Sequence, residues 1–280
     1  MKKISRRSFL AAAAVSVAAL ALTACGGSAS TASSAASSVA ASSEAASTSA
    51  AAAELTTVEA GKLTMATNAT FPPYEMTTDA GTIEGIDVDT AQAIAEKLGL
   101  ELQIDDMDFD AALLSVQQGK ADIAMAGITV TDERMAVMSF SDSYATGIQS
   151  VIVPEGSDIT SVDDLAGKKI GTQRGTTGYL YCSDDFGEDA VVAYDNGLTA
   201  VQALNNGQVD AVVIDNAPAQ EFVAANPGLK ILDPAYAQED YAIGVAKGNT
   251  QLLDAINGAL EELQDDGTLQ AIVDKYIKAE

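Results

Sequence analysis

Histidine is absent from all 280 residues. That absence excludes Ser-His-Asp and Cys-His catalysis and every histidine-ligated metal site. Cysteine occurs only at Cys25 and Cys182. Basic residues are scarce too: 15 Lys and Arg stand against 40 Asp and Glu, a formal net charge of −25. Lys2, Lys3, Arg6 and Arg7 are the only charged residues before Cys25, and without those four basic groups 11 basic and 40 acidic residues leave −29. Nucleic acid and anionic headgroups require clustered Lys and Arg, so neither is an expected partner. No GxxxxGKS/T and no GxGxxG run occurs, and phosphate-loop or dinucleotide readings have no support. No cofactor is implied. What the length does allow is one or two domains with full cores, under an acidic surface that favours solubility.

The N-terminus reads as an export signal. Lys2, Lys3, Arg6 and Arg7 form a basic region ahead of the apolar stretch Phe9 to Leu22, which is short for a bilayer span. Ser5-Arg-Arg-Ser-Phe-Leu10 also resembles a twin-arginine signal, which leaves the export route open. Leu22-Thr-Ala-Cys25 resembles the lipobox of bacterial lipoproteins, which implies removal of residues 1–24 and lipidation of Cys25. Cys182 then has no partner for an intramolecular disulfide. With no histidine or clear basic neighbour to activate it, Cys182 is read as structural. Residues 25–58 are almost entirely Ser, Ala, Thr and Gly, too poor in large apolar side chains to bury a core, and read as a flexible tether.

A folded module begins near Gly61. Leu63 to Thr67 is a short apolar strand, followed by the proline-stiffened loop Asn68-Ala-Thr-Phe-Pro-Pro-Tyr74. Val88, Ala91, Ile94 and Leu98 recur at helical spacing up to Gly99. Leu100 to Ile104 is a second strand, and a helix starts at Asp108-Phe-Asp110 and stops at Gly119. Strands alternating with helices predict an α/β fold with a mainly parallel sheet. The stretch from Leu114 through Gly119 to Met125 is echoed from Leu204 to Val213: helix end, glycine, aspartate, buried strand. Two such units predict two similar lobes with ligand-facing loops at the carboxyl ends of their strands.

Several loops carry candidate chemistry. Gly119 to Arg134 reads as a buried strand from Ala121 to Ala126 turning into a helix near Thr131. Backbone N–H groups, the Thr129 hydroxyl and the Arg134 fork suit a carboxylate there; spacing alone equally allows a surface arginine. Lys168 to Gly178 reads as strand, glycine-rich turn and helix start, where Thr176 and Thr177 serve as caps or as anion contacts beside Gly175. Asp215 ends the strand Ala211 to Ile214, to cap a helix near Pro218 or to face a cleft. Tyr241 to Lys247 is a strand. Leu252, Ile256, Leu260 and Leu263 mark one face of a long helix, and Thr268 to Ile277 is a final one.

Ala126-Gly-Ile-Thr-Val-Thr-Asp-Glu-Arg134, followed by Phe140-Ser-Asp-Ser-Tyr144, resembles the carboxylate-binding segment of polar amino-acid-binding proteins of bacterial ABC importers. From about Lys62 to Ile277 the chain resembles family 3 extracellular solute-binding proteins. The resemblance implies a two-lobed, periplasmic-binding-protein-like α/β fold, with lobe 1 at 59–147 and 242–280 and lobe 2 at 148–241. Two crossings, near Tyr144–Gln149 and Gln238–Ala242, would form the hinge. It implies a ligand cleft in which Gly127, Thr129 and Arg134 contact the α-carboxylate from one lobe and Thr177 from the other, while Asp215 receives the α-ammonium. Phe71 and Phe109 resemble its aromatic walls, with ordinary core packing the competing account.

The implied function is extracytoplasmic delivery of a free amino acid to ABC permease subunits by a lipid-anchored monomer, not catalysis. A ligand sensor for a membrane receptor and a dehydratase-like enzyme on the same fold are the alternatives. Asn68 stands where many relatives, including those for basic amino acids, carry aspartate, and that loss of negative charge argues against arginine or lysine as the ligand. Gln173 and Arg174 precede the glycine turn; Arg174 pointing inward would favour an acidic or amide side chain, and outward it would be a solvated charge. The expected ligand is a polar amino acid with an uncharged or acidic side chain.

Overall fold

The structure is a computed structural model that describes residues 55–233 and 235–277. The export signal, Cys25 and most of the tether lie outside them. The chain begins with β1 (Lys62–Thr67) and a small antiparallel meander, β2 (Thr70–Phe71), β3 (Glu75–Thr77) and β4 (Ile83–Glu84). Then come α1 (Ile86–Leu98), β5 (Glu101–Asp106), α2 (Phe109–Gln117), β6 (Ile123–Ala124) and α3 (Asp132–Val137). β7 (Met138–Pro154) leads into β8 (Ile170–Gln173), α4 (Thr177–Phe186), β9 (Val191–Tyr194), α5 (Gly197–Asn205), β10 (Ala211–Asp215), α6 (Asn216–Ala225) and β11 (Leu229–Ile231). β12 (Ala237–Ala246), α7 (Thr250–Asp265) and α8 (Thr268–Tyr276) complete the described chain.

One large sheet runs in the order β5-β1-β6-β12-β7-β10-β8-β9, with β11 also on β7. Its outer parts are parallel, β5/β1/β6 at one end and β10/β8/β9 at the other. Every pairing made by β7 and β12 is antiparallel. The sheet is therefore mixed, where strand and helix alternation predicts a mainly parallel one. The reason is β7, a 17-residue strand whose first half mixes buried and exposed positions around Ser, Asp, Thr and Gly and carries no clean period. β7 and β12 pair along the middle of the sheet, with Gln149 opposite Ala237 and Ala145 opposite Tyr241. Register shifts follow at Tyr241–Gly244, a device that bends and twists a strand pair.

The internal echo has a structural cause. After α2 and after α5 a glycine turn is followed by an aspartate that grips the start of the neighbouring strand. Asp122 Oδ2 accepts the Thr64 N–H of β1 at 2.8 Å, and its Oδ1 accepts Val58 N–H at 2.7 Å. Asp210 Oδ2 accepts Lys169 N–H, just before β8, at 2.8 Å. Leu252, Ile256, Leu260 and Leu263 are all buried, which sets α7 against the core as its stripe predicts. Cys182 is fully buried among Val151, Val153, Ile170 and Val213. Burial pushes its thiol up to about 12, which suits a packing residue and not a nucleophile.

Asp122→Ala removes two charge-assisted bonds from a buried position, and the expected loss is about 2 kcal/mol of unfolding free energy. Asp210→Ala, with one exposed bond, should cost about half that. Urea denaturation followed by circular dichroism measures both, and equal losses would show that the two aspartates are not distinguished by burial.

Candidate ligand-binding site

All ten residues singled out in the sequence line one cavity where the two ends of the sheet meet. Asn68, Phe71, Phe109, Gly127, Thr129 and Arg134 come from the β1 end, and Gln173, Thr176, Thr177 and Asp215 from the β8 and β10 end. Its free volume is about 30 Å³, room for about two water molecules.

The cationic wall starts from a capped turn. Thr131 caps α3, accepting the Arg134 N–H at 3.2 Å, so Arg134 is the third residue of a six-residue helix. Its guanidinium is buried and donates through Nη1 to Thr129 O at 2.7 Å and through Nη2 to Gly175 O at 3.1 Å. Cζ stands 5.3 Å from the Phe109 ring centroid, within cation–π range. Desolvation lowers the arginine's pKa, and the attraction of Glu239 is the largest opposing effect. Gly175 has φ +74°, and a Cβ there would overlap the Asp110 carboxylate, so the loop crosses the first turn of α2 only as glycine.

Beside it, Thr176 and Thr177 divide their tasks. Thr176 is the helix cap: its hydroxyl donates to Gln173 O at 2.8 Å and accepts Tyr179 N–H at 3.4 Å. Thr177 opens α4 with its hydroxyl toward the cavity, 3.5 Å from the hydroxyl of Thr129. Two hydroxyls from opposite ends of the sheet thus converge beside one guanidinium.

The acidic wall is Asp215, which both caps α6 and lines the cavity. Its Oδ1 accepts Ala217 N–H at 3.1 Å and its Oδ2 accepts Ile148 N–H at 2.7 Å. The helix it caps starts at Asn216, not near Pro218. Burial pushes the carboxyl up to about 6, against the stabilising contacts of Tyr241, Ile148 and Ala217. Gly127 has φ +56°, and a Cβ would lie 2.8 Å from Phe71 Cε1. Its N–H donates to Asp87 Oδ2 at 3.0 Å, while Asp87 Oδ1 accepts the Tyr144 hydroxyl at 2.7 Å. The resemblance implied Gly127 as a carboxylate contact, but that N–H is engaged. Its carbonyl, an acceptor, suits an ammonium instead.

Asn68 and Gln173 bridge the cavity through Gln173 Nε2 and Asn68 Oδ1 at 3.0 Å, and Asn68 Nδ2 holds Met107 O at 2.9 Å. Phe71 stacks on Tyr74 at 5.8 Å, and Tyr74 meets Tyr241 edge-on at 5.3 Å. Arg174 points outward, its side chain 58 % exposed and 3.7 Å from Asp195. The pairing with an acidic ligand that depended on it falls away.

Glu75, Gln149 and Tyr241 also line the cavity, and Glu239 reaches its two threonine hydroxyls. None is singled out in the sequence. Gln149 lies on the aperiodic β7, Glu239 precedes the stretch that reads as a strand, and Glu75 is one acid among 40. Burial, then the charge of Asp87, push Glu75 well above the ordinary carboxylate range.

Residues 63–279 match the family described as bacterial extracellular solute-binding proteins, family 3. The chain is 33% identical over 226 residues to the L-cystine-binding protein TcyJ of Escherichia coli K12, covering 79% of this chain and 85% of that one. It is 32% identical over 222 residues to ABC transporter arginine-binding protein 1 of the same strain, covering 78% and 91%. A solved structure of an ancestral arginine-binding protein bound to arginine matches with a TM-score of 0.74 at 43% identity, over 78% of this chain and 98% of that one. The fold is the periplasmic-binding-protein-like α/β fold of these amino-acid-binding proteins.

Asp215 and Asp87 both have carboxyls raised to about 6. A carboxyl raised in the folded state contributes stability below its unfolded value, and that contribution is lost as pH rises through the folded one. Each raised group, about two units above its reference, amounts to about 3 kcal/mol at most. Stability should therefore increase as pH falls from 7.5 to 5.5, and Asp215→Asn should remove part of that slope. Thermal unfolding across the series tests it; identical slopes in parent and variant would show that Asp215 does not titrate there.

Proposed function

The chain belongs to the bacterial extracellular solute-binding proteins of family 3, and on that premise we propose that it binds a polar amino acid and delivers it to the permease of an ABC importer. The observation that carries this reading is the separation of charge across one small cavity, with Arg134, Thr129 and Thr177 on one wall and Asp215 on another. The ligand's carboxylate lies against the guanidinium and the two hydroxyls, and its ammonium against Asp215 and the Gly127 carbonyl. Phe71 and Phe109 flank the aliphatic part and exclude water, which strengthens both charged contacts.

Arg134 is the one basic residue among those that line the cavity, since Arg174 faces solvent, which disfavours an acidic side chain. Although Asn68 supplies no charge for a cationic side chain, arginine is the first candidate, because a relative and a solved structure at 32% and 43% identity are described as arginine-binding.

Residues 59–147 with 242–280 form one lobe and 148–241 the other, closing by bending where β7 pairs with β12. Ligand contacts to both lobes favour the closed state, which is the differential affinity that such a shift requires. Outside the cytoplasm, a lipid on Cys25 and the tether of residues 25–58 keep the monomer near its permease.

Calorimetric titration with arginine, glutamine and glutamate tests the binding reading. Arginine should bind saturably at about one per chain and most tightly, and Arg134→Ala should weaken it at least about a hundredfold, as for loss of one partner of a buried charge pair. Arginine binding unchanged in the variant would place the carboxylate elsewhere. Cys25→Ala should abolish labelling by radioactive palmitate and release the protein from membranes; retained label would refute the anchor.

A further inference from the structure

Glu239 lies on β12 between exposed Gln238 and Asp240, yet its own side chain is buried. Its Oε2 accepts three hydrogen bonds, from Thr129 Oγ1, Thr177 Oγ1 and Gln149 Nε2, each at 3.0 Å. Its Oε1 is buried with no hydrogen-bond partner. The two threonine hydroxyls come from opposite ends of the sheet, and they are the groups assigned above to the ligand's carboxylate. Glu239 therefore offers this donor set the same chemical group that an amino acid would offer.

The bonding is lopsided in a telling way. A buried carboxylate has acceptor sites on both oxygens, and buried polar atoms are as a rule partnered. Here Oε2 takes three donors and Oε1 takes none, the Tyr181 hydroxyl is a further donor close to this carboxylate, and the nearby guanidinium directs two N–H groups to Thr129 O and Gly175 O. Leaving a buried acceptor unsatisfied carries a penalty, so this seat is imperfect for Glu239. Each threonine hydroxyl has one proton to donate, so while both donate to Oε2 neither donates to a second carboxylate.

We propose that the Glu239 side chain is a tethered stand-in for the ligand's carboxylate, one that clasps Thr129 to Thr177 in the absence of amino acid and is displaced when the amino acid binds. The inference rests on the carboxylate assignment under Proposed function. Glu239 keeps two buried hydroxyls partnered and holds the two ends of the sheet together. It also lowers apparent affinity, because a competitor built into the chain reduces the fraction of molecules ready to bind.

The full-length protein with Glu239→Gln tests the competition, because the amide keeps the shape and removes the charge. Arginine should bind this variant about tenfold more tightly than the parent, by calorimetry. Small-angle scattering without amino acid should find Glu239→Ala more expanded than the parent, and millimolar acetate should return only the alanine variant to the parent's size. Unchanged affinity in Glu239→Gln would overturn the proposal, and so would weaker affinity, which would put Glu239 on the ligand's cation. Equal dimensions of parent and Glu239→Ala would overturn the clasp. A parent that binds none of the three amino acids would refute the binding reading itself, whereas a parent that binds arginine beside a variant that binds no tighter refutes only the role of Glu239.

Discussion

Arg134 is a buried cation, and the organisation of the module follows from keeping it satisfied. An uncompensated buried charge costs several kcal/mol, so its planar fork must find acceptors. One is local, Thr129 O, and the other is Gly175 O from the far end of the sheet. That second bond exists only when the loop before α4 reaches across to α2, which is why a glycine without a side chain stands there. The same approach brings Thr129 within 3.5 Å of Thr177 and Gln173 within 3.0 Å of Asn68. Electrostatic satisfaction and geometric closure are here one condition.

The acids around the cavity express the complementary constraint. Asp215 and Asp87 are each supported by N–H or hydroxyl donors, yet burial still raises both to about 6. Desolvation outweighs hydrogen bonding at both positions, and Asp215, which lines the cavity, stands to gain from a cation brought close to it. A site with one guanidinium on one wall and Asp215 on another is asymmetric, and on the proposed reading that asymmetry is what orients the zwitterion.

Much of this was legible in residue patterns, for reasons that differ by element. The stripe Leu252, Ile256, Leu260 and Leu263 identified α7 because one face of a helix must be apolar to pack. The paired Gly-then-Asp turns identified the repeat because each aspartate serves a strand start. The ten cavity residues were found through motif resemblance, and periodicity alone would have left Arg134 a surface residue. β7 escaped because a strand that crosses between two packing environments changes its buried face midway and keeps no single period. Glu239 escaped for a related reason: at the start of β12 it follows a segment without apolar alternation, and nothing in composition separates it from 39 other acids.

The pairing of β7 with β12 bears on the proposed closure. β7 and β12 are hydrogen-bonded to one another through the very stretch where the chain passes between the two ends of the sheet. A continuous ladder resists sliding, so relative motion of the ends is confined to bending and twisting, and the register shifts at Tyr241–Gly244 mark where the ladder is already irregular. Gln149 and Glu239 sit on these strands and bond to each other inside the cavity. Bending the ladder would move Gln149 and Glu239 with it, and the proposed displacement of Glu239 from the two threonines would act on the same strand. On that proposal recognition and closure share one short stretch of β12 and need no relay between them.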